Sequence, residues 1–150
     1  MRPTVVLAVA VAAALATGAA LPAVAATDSA FTLIGGVAGG ITHVSTDQPL
    51  TFVFTEKNQS NRGADEDLVL KRATNVDVTG LTCITPAGHA QNNDGRWCEP
   101  GFVRPGRYAS LIVTTTVTGA QGEVAAARVC LVNEDTGVWG ACKTVKASIG

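Results

Sequence analysis

VRPGRYASLIVTTTV, residues 103–117, is the stretch of sequence that decides the fold. Pro105 and Gly106 are typical turn residues, and they precede the longest β-type run of the chain, residues 108–117. The run alternates between two faces, one with Leu111, Val113 and Val117 and the other with Ser110, Thr114 and Thr116. Alternation with a period of two predicts a strand that buries one face.

The same alternation predicts further strands on both sides of this run. Leu50, Phe52 and Phe54 alternate with threonines, and Leu68 and Leu70 repeat the pattern after a polar, turn-rich segment. Other candidate strands are 31–34, which Gly35 and Gly36 are expected to break, 41–44, 76–78, 81–84, 124–132 and 138–147. No helical stripe is visible. About seven or eight short strands with turns between them predict an all-β fold, an antiparallel sandwich of two sheets.

The first 25 residues predict a secretory signal peptide. Arg2 supplies the positive start, residues 5–16 an apolar middle, and residues 23–25 a small-residue cleavage site. The alternative is an uncleaved anchor, which needs roughly 20 apolar residues to cross a bilayer, and Pro22 interrupts the run. We therefore expect a secreted, extracellular protein in which residues 26–150 form a single domain, without stable membrane insertion.

The charge balance does not point to nucleic acid or an anionic membrane as a partner. The formal net charge is −1, and removal of Arg2 with the signal peptide makes it −2. This balance gives no electrostatic reason to expect binding to nucleic acid or to an anionic membrane. The densest acidic cluster, residues 65–67, is predicted to be a solvated strand end. A calcium site there is the alternative, but the alternating ligands and loop glycine of an EF-hand are missing.

Four cysteines are present, and they permit three disulfide pairings. Cys130 and Cys142 flank the turn-rich segment 133–137, and a hairpin centred on residue 136 places them directly opposite each other. Opposed residues of this kind have Cα atoms about 4.5 Å apart, which a disulfide can span. We therefore expect the pair Cys130–Cys142. The remaining pair, Cys83–Cys98, would close a loop over residues 84–97 that is rich in Gly, Pro and Asn.

The hairpin register also fixes which way the side chains point. Cys130 and Cys142 are both expected to face solvent, because their neighbours Val129 and Leu131 face the core. Lys143 then falls on the inner face opposite Val129. A bulge in the hairpin or a snorkelling Lys143 would resolve this conflict.

Zinc is the alternative use of the cysteines. The sequence has neither a CxxC motif nor a paired histidine spacing, and His43 and His89 lie in separate predicted loops. Export to an oxidising compartment favours disulfides instead. No metal ion and no cofactor is therefore expected.

No motif for catalysis is visible in the sequence. A GxSxG elbow, an HExxH helix and a phosphate loop before a helix are all missing, so we expect a protein that is not an enzyme. The candidate binding residues are Arg96, Trp97 and His89 in or beside the bridged loop, together with Trp139 in the last hairpin. The tryptophans are expected either to form an exposed platform for a sugar or protein partner, or to cover a disulfide or a sheet edge.

The stretch from Leu50 to Val145 resembles the Ig-like repeat domains of bacterial surface and secreted proteins, including the cell-adhesion-related domain of bacteria. The segments that carry the resemblance are LTFVFTEKNQSN (50–61), DLVL (67–70), CITPAG (83–88) and VRPGRYASLIVTTTV (103–117). The resemblance implies a seven-stranded Ig-like sandwich that serves display, adhesion or binding, with no catalytic set. We expect a single monomeric copy released from a bacterium, whose partner is a protein or a cell-wall glycan.

A second resemblance is to the bacterial secreted subtilisin inhibitors, and it rests on the spacing of Cys83 and Cys98. In that family a bridged loop offers a substrate-like segment to a protease. The resemblance implies the alternative function, a secreted protease inhibitor that presents residues 84–97.

Overall fold

A computed structural model describes residues 31–93 and 95–150, apart from the side chains of residues 92 and 93. The predicted signal peptide lies outside the described residues. The described strands are β1 (Phe31–Val37), β2 (His43–Val44), β3 (Pro49–Asn58), β4 (Ala64–Thr74), β5 (Val76–Ile84), β6 (Ala90–Asn93), β7 (Trp97–Cys98), β8 (Phe102–Val103), β9 (Tyr108–Val117), β10 (Val124–Asn133) and β11 (Trp139–Ile149). One 3-10 turn, Ala38–Gly40, follows β1. Within these residues, no helix has the length and apolar character that spanning a membrane requires.

The strands form two sheets packed face to face. The first sheet has the order β1-β3-β9-β5-β6, and the second has the order β2-β11-β10-β4-β7, with β8 also paired to β4. Seven of the described strands are long, from 7 to 11 residues: β1, β3, β4, β5, β9, β10 and β11. The predicted all-β sandwich of about seven strands is confirmed.

The core lies where the alternating strands predict it. The apolar residues of β3 and β9 that share a face are buried, including Leu50, Phe52, Phe54, Leu111, Val113 and Val117. Thr115 also lies on this inner face, and its hydroxyl donates to the Leu50 carbonyl at 2.7 Å, so its polar group is satisfied. Leu68 and Leu70 of β4 complete the core from the second sheet, as predicted.

The prediction that Gly35 and Gly36 break the first strand is wrong. β1 continues through both glycines to Val37 and pairs with β3 along its whole length. A Cβ atom on Gly35 would lie 2.7 Å from Val145 of β11 and 2.9 Å from Phe54. Gly35 therefore allows the edge of the first sheet to approach the second closely, and it is a packing residue rather than a break.

Two further strand predictions need adjustment. Segments 76–78 and 81–84 belong to one strand, β5, whose register shifts between Val78 and Gly80. The expected edge strand at 41–44 is present as β2, but only His43 and Val44 take part, and they pair with β11 in parallel.

Both predicted disulfides are present. Cys130 and Cys142 are direct partners in the β10–β11 hairpin, with Cα atoms 4.0 Å apart. Lys143 pairs with Val129 without a bulge at that level, and its side chain is exposed. The conflict over Lys143 does not arise, because every residue of β11 from Trp139 to Thr144 is exposed and the inner face of the strand is open to solvent at this end.

The place of the Cys83–Cys98 bridge differs from the prediction. Cys83 belongs to β5 of the first sheet and Cys98 to β7 of the second, and both are fully buried. The bridge therefore joins the two sheets through the core instead of closing the neck of a surface loop. Between them, segment 84–97 is not simply a loop, because Ala90–Asn93 forms β6 and extends the first sheet. Two disulfides of this kind are compatible with an extracellular protein.

Candidate functional site: a tryptophan pair on the second sheet

The register of the second sheet brings the two tryptophans to one outer face. Trp97 on β7 pairs with Val69 on β4, and Trp139 on β11 pairs with Val132 on β10. The two inner strands are themselves in register, because Val69 pairs with Cys130. Residues far apart in the sequence are thus aligned across four neighbouring strands.

The two indole rings lean towards each other over the middle strands. Four adjacent strands span about 14 Å, yet the ring centroids of Trp97 and Trp139 are only 6.2 Å apart, with their planes tilted by 53°. The residues beneath them, Val69, Cys130 and Val132, are buried although they lie outside the main core cluster. The rings therefore cover a small apolar layer on the outer face of the sheet.

The pair still presents a large surface to solvent. Trp97 is 42% exposed and Trp139 is 44% exposed. The disulfide beneath them is covered on one side only, because Cys130 is buried whereas Cys142 is exposed. The expectation that both cysteines are open to solvent is thus wrong for Cys130. The tryptophans therefore lie over a disulfide and leave part of both rings exposed, while their role as a platform for a partner stays a prediction.

Two cations border the platform. The Lys71 Nζ atom lies 4.0 Å from the ring centroid of Trp139, a cation–π contact. The Arg96 guanidinium donates to the Lys71 carbonyl at 3.4 Å, and the Arg96 carbonyl accepts from Leu70 N at 2.8 Å. We refer to Trp97, Trp139, Lys71 and Arg96 as the tryptophan surface.

The position of Lys71 depends on a β-bulge. Arg128 of β10 pairs with Arg72 and the next residue, Val129, pairs with Leu70, so Lys71 is the extra residue on β4. A bulge of this kind redirects a side chain, and here it turns Lys71 towards the platform. Lys71 was not predicted from the sequence, because no local signal marks a bulge that depends on pairing with a distant strand.

His89 lies elsewhere. It belongs to the turn between β5 and β6 of the first sheet, where its backbone N–H donates to the Thr85 hydroxyl at 3.3 Å. The tryptophan surface lies on the second sheet and does not include it. Of the four candidate binding residues, the structure brings together Arg96, Trp97 and Trp139.

A buried carboxyl group is a second unusual feature. Glu56 on β3 is fully buried, and neither of its carboxyl oxygens has a hydrogen-bond partner among the described residues. Burial raises the pKa of Glu56 to about 9, with further contributions from the negative charges of Glu66 and Asp67. Glu56 is therefore protonated at neutral pH. The signal was present in the sequence, since the alternation that begins at Leu50 continues inward through residue 56.

The acidic residues 65–67 are not a solvated strand end, so that prediction is wrong. Asp67 is buried, and this burial raises its pKa to about 6, with smaller contributions from Glu134 and Glu99. Burial also raises the pKa of Glu66, while a hydrogen bond from Asn133 opposes the rise. Over the described residues, no group of three or more His, Cys, Asp or Glu side chains is arranged to hold a metal ion.

Solved structures share this fold, although no protein-family model matches the sequence and no curated protein is similar to it. The N-terminal domain of PorA superposes with a TM-score of 0.51 and 14% identity, over 79% of this chain and 97% of that one. AvmM, which catalyses macrocyclization in alchivemycin A biosynthesis, gives a TM-score of 0.50 and 10% identity, over 79% of this chain and 88% of that one.

Similar structures also include a CARDB domain from Pyrococcus furiosus. Its TM-score is 0.45, with 14% identity over 83% of this chain and 92% of that domain. At such identities the likenesses to PorA and AvmM show the fold alone. The chain is a two-sheet β-sandwich, held by one disulfide between its sheets and one within a hairpin.

Proposed function

We propose that this chain is an exported, non-enzymatic Ig-like module of a bacterium, which binds an extracellular partner through the tryptophan surface. The single observation that carries the proposal is the pair of half-exposed indole rings 6.2 Å apart on one sheet face. Large aromatic side chains contribute much of the binding energy at protein interaction sites. Here the sheet beneath also holds the rings in place before any partner arrives, which reduces the entropy lost on binding.

The partner that this surface fits best is a cell-wall glycan. Sugar rings have apolar faces of C–H groups that pack on indole rings, and hydroxyl groups around their edges that accept hydrogen bonds. The tryptophan surface offers both kinds of contact, because Lys71 and Arg96 supply donors at the border of the two rings. Extracellular location agrees with two disulfides and with the predicted signal peptide.

The test is co-sedimentation of the purified protein with the insoluble wall fraction of the producing organism. We expect Trp97→Ala and Trp139→Ala each to weaken retention by about tenfold or more. Tyr108→Ala is the matched control, because Tyr108 is also exposed and carries Lys57 Nζ at 5.2 Å from its ring, but belongs to the first sheet.

Loss of fold must be separated from loss of binding, because the rings also cover buried residues. The thermal unfolding of each variant is therefore measured. A further variant, Trp97→Phe, keeps an aromatic ring over the buried residues but presents a smaller surface to a partner. Folded tryptophan variants that sediment as well as the wild type would contradict the proposal, as would equal loss in Tyr108→Ala.

A further inference from the structure

A groove crosses the outer face of the second sheet beside the tryptophan surface. It has a volume of about 320 Å³ and runs over β4, β10 and β11. Small residues form its floor, among them Ala126, which pairs with Thr74 on one side. Three cations line it: Arg72, Arg128 and Lys146. We refer to it as the basic groove.

The cations of the basic groove are placed at a cost to stability. Arg128 is the direct cross-strand partner of Arg72, and like charges in that relation repel each other. Neither arginine side chain, nor that of Lys146, makes an ion pair or hydrogen bond with any residue that the structure describes. The like charges of Arg72 and Arg128 therefore do not stabilise the fold, and all three exposed side chains are available to a ligand.

No Asp or Glu is among the described residues that line the groove. The acidic residues 65–67 begin β4, and Asp67 is five residues from Arg72, which corresponds to about 16 Å along a strand. Glu123 is the carboxylate next to the strand that forms the groove floor, and it accepts from Ala120 N at 2.7 Å in the adjoining turn. The groove consequently presents positive charge with no carboxylate in its lining.

The basic groove and the tryptophan surface form one continuous strip. Along the outer face of β10, Val132 lies beside Trp139, Cys130 follows, and Arg128 marks the edge of the groove. Four residues of strand separate Val132 from Arg128, or about 13 Å. A linear polymer lying along β10 therefore reaches both the indole rings and the arginines.

We infer that the strip binds an anionic polysaccharide, with sugar rings on the tryptophan surface and acidic groups in the basic groove. This inference rests on the proposed function and narrows it to glycans that carry negative charge. A guanidinium group binds a carboxylate or phosphate through two parallel hydrogen bonds, which suits Arg72 and Arg128. The threonine and alanine side chains of the groove are small enough to leave room for a sugar ring beside the arginines.

The experiment compares two forms of one polymer by titration calorimetry at low ionic strength. The probes are polygalacturonate and its fully methyl-esterified form, which has the same backbone without the charges. We expect the wild type to bind polygalacturonate about tenfold more tightly or better. The double variant Arg72→Gln/Arg128→Gln should bind both forms alike. The control Arg104→Gln/Arg107→Gln removes the same charge from exposed residues elsewhere and should stay within about twofold of wild type.

The inference is wrong if the wild type does not bind polygalacturonate, or if it binds a thymidine 20-mer more tightly. It is also wrong if the groove variant binds polygalacturonate as tightly as the wild type, or if both double variants lose the same affinity for it. The sedimentation assay keeps this failure distinct from that of the proposed function. If Trp97→Ala loses wall retention while the groove variant does not, binding through the tryptophan surface is supported and the anionic polysaccharide is ruled out as its ligand.

Discussion

The Nζ atom of Lys71 lies 4.0 Å from the centre of the Trp139 ring. The contact joins a bulge in β4 to the first residue of β11, across the intervening strand β10. It therefore fixes the orientation of one indole ring through a residue that has no ladder partner of its own.

Lys71→Met keeps the aliphatic stem and removes the charge. We expect it to lower the free energy of unfolding by about 0.5–1 kcal/mol in the wild type, because a partly exposed cation–π contact is lost. The loss should shrink in a Trp139→Leu background, and a double-mutant cycle by urea unfolding measures the difference. The same cycle for Lys57 and Tyr108, which are 5.2 Å apart, should give a smaller coupling. Equal losses of Lys71→Met in both backgrounds would argue against the contact.

Glu56 makes stability depend on pH. Its pKa rises from 4.5 in the unfolded chain to about 9 in the folded protein, so between these values the folded state holds a proton that the unfolded state has lost. Stability therefore falls as pH rises through this window, by up to about 1.4 kcal/mol per pH unit from this one group. Below pH 4.5 both states are protonated and the group contributes no slope.

Glu56→Gln tests this prediction, because the amide has nearly the same shape and does not ionise. Thermal unfolding between pH 6.5 and 9 should show a falling Tm for the wild type and a much flatter profile for the variant. The pKa of Asp67 is about 6, so this residue changes the pH dependence of stability mostly below pH 6.5. The exposed Asp135 supplies the control, Asp135→Asn, which should keep the wild-type slope. Parallel profiles for the wild type and Glu56→Gln would show that residue 56 does not carry the effect.

Gly35 and Gly36 are neighbours in β1 with opposite surroundings. A methyl group at Gly35 meets Val145 and Phe54, whereas nothing lies within 4 Å of a methyl group at Gly36. We expect Gly35→Ala to lower the free energy of unfolding by about 1–3 kcal/mol through overpacking. Gly36→Ala should be neutral or stabilising by about 0.5 kcal/mol, since it restricts the unfolded chain. Chemical denaturation of both variants measures the difference, and a neutral Gly35→Ala would mean that the sheets can separate there without loss.

The two disulfides should contribute unequally. Each closes a short segment, of 15 and 12 residues, and by the chain-entropy estimate each contributes roughly 3 kcal/mol. Cys83 and Cys98 are both fully buried between the sheets, while Cys142 is exposed. We therefore expect Cys83→Ala/Cys98→Ala to lose more stability in urea than Cys130→Ala/Cys142→Ala, because only the former leaves a cavity in the core. A larger loss for the hairpin pair would contradict this order.

Local patterns predicted much of the fold. The alternation in 108–117 is enough to define β9, and the symmetry of Cys130 and Cys142 about residue 136 is enough to define their pairing. Both depend on residues close together in the chain. The Cys83–Cys98 pair was predicted by elimination, but its place between the sheets was not, because that depends on which sheet β7 joins.

The tryptophan surface depends on contacts that local patterns do not contain. Trp97 and Trp139 meet only because β7, β4, β10 and β11 are adjacent in that order, and the order is set by long-range pairing. Lys71 joins them through a bulge that also requires the β4–β10 register. Glu56 is different, since its inward position follows from a local alternation. It was not predicted as a core residue because its side chain is polar.

The most direct test of the account is tryptophan fluorescence during titration with soluble fragments of the producing organism's cell-wall glycan. The chain contains two tryptophans, and both belong to the proposed binding surface, so the emission reports this surface alone. We predict a saturable change in emission together with protection from acrylamide quenching. Binding detected by calorimetry with unchanged emission and unchanged quenching would place the partner elsewhere on the molecule and contradict the account.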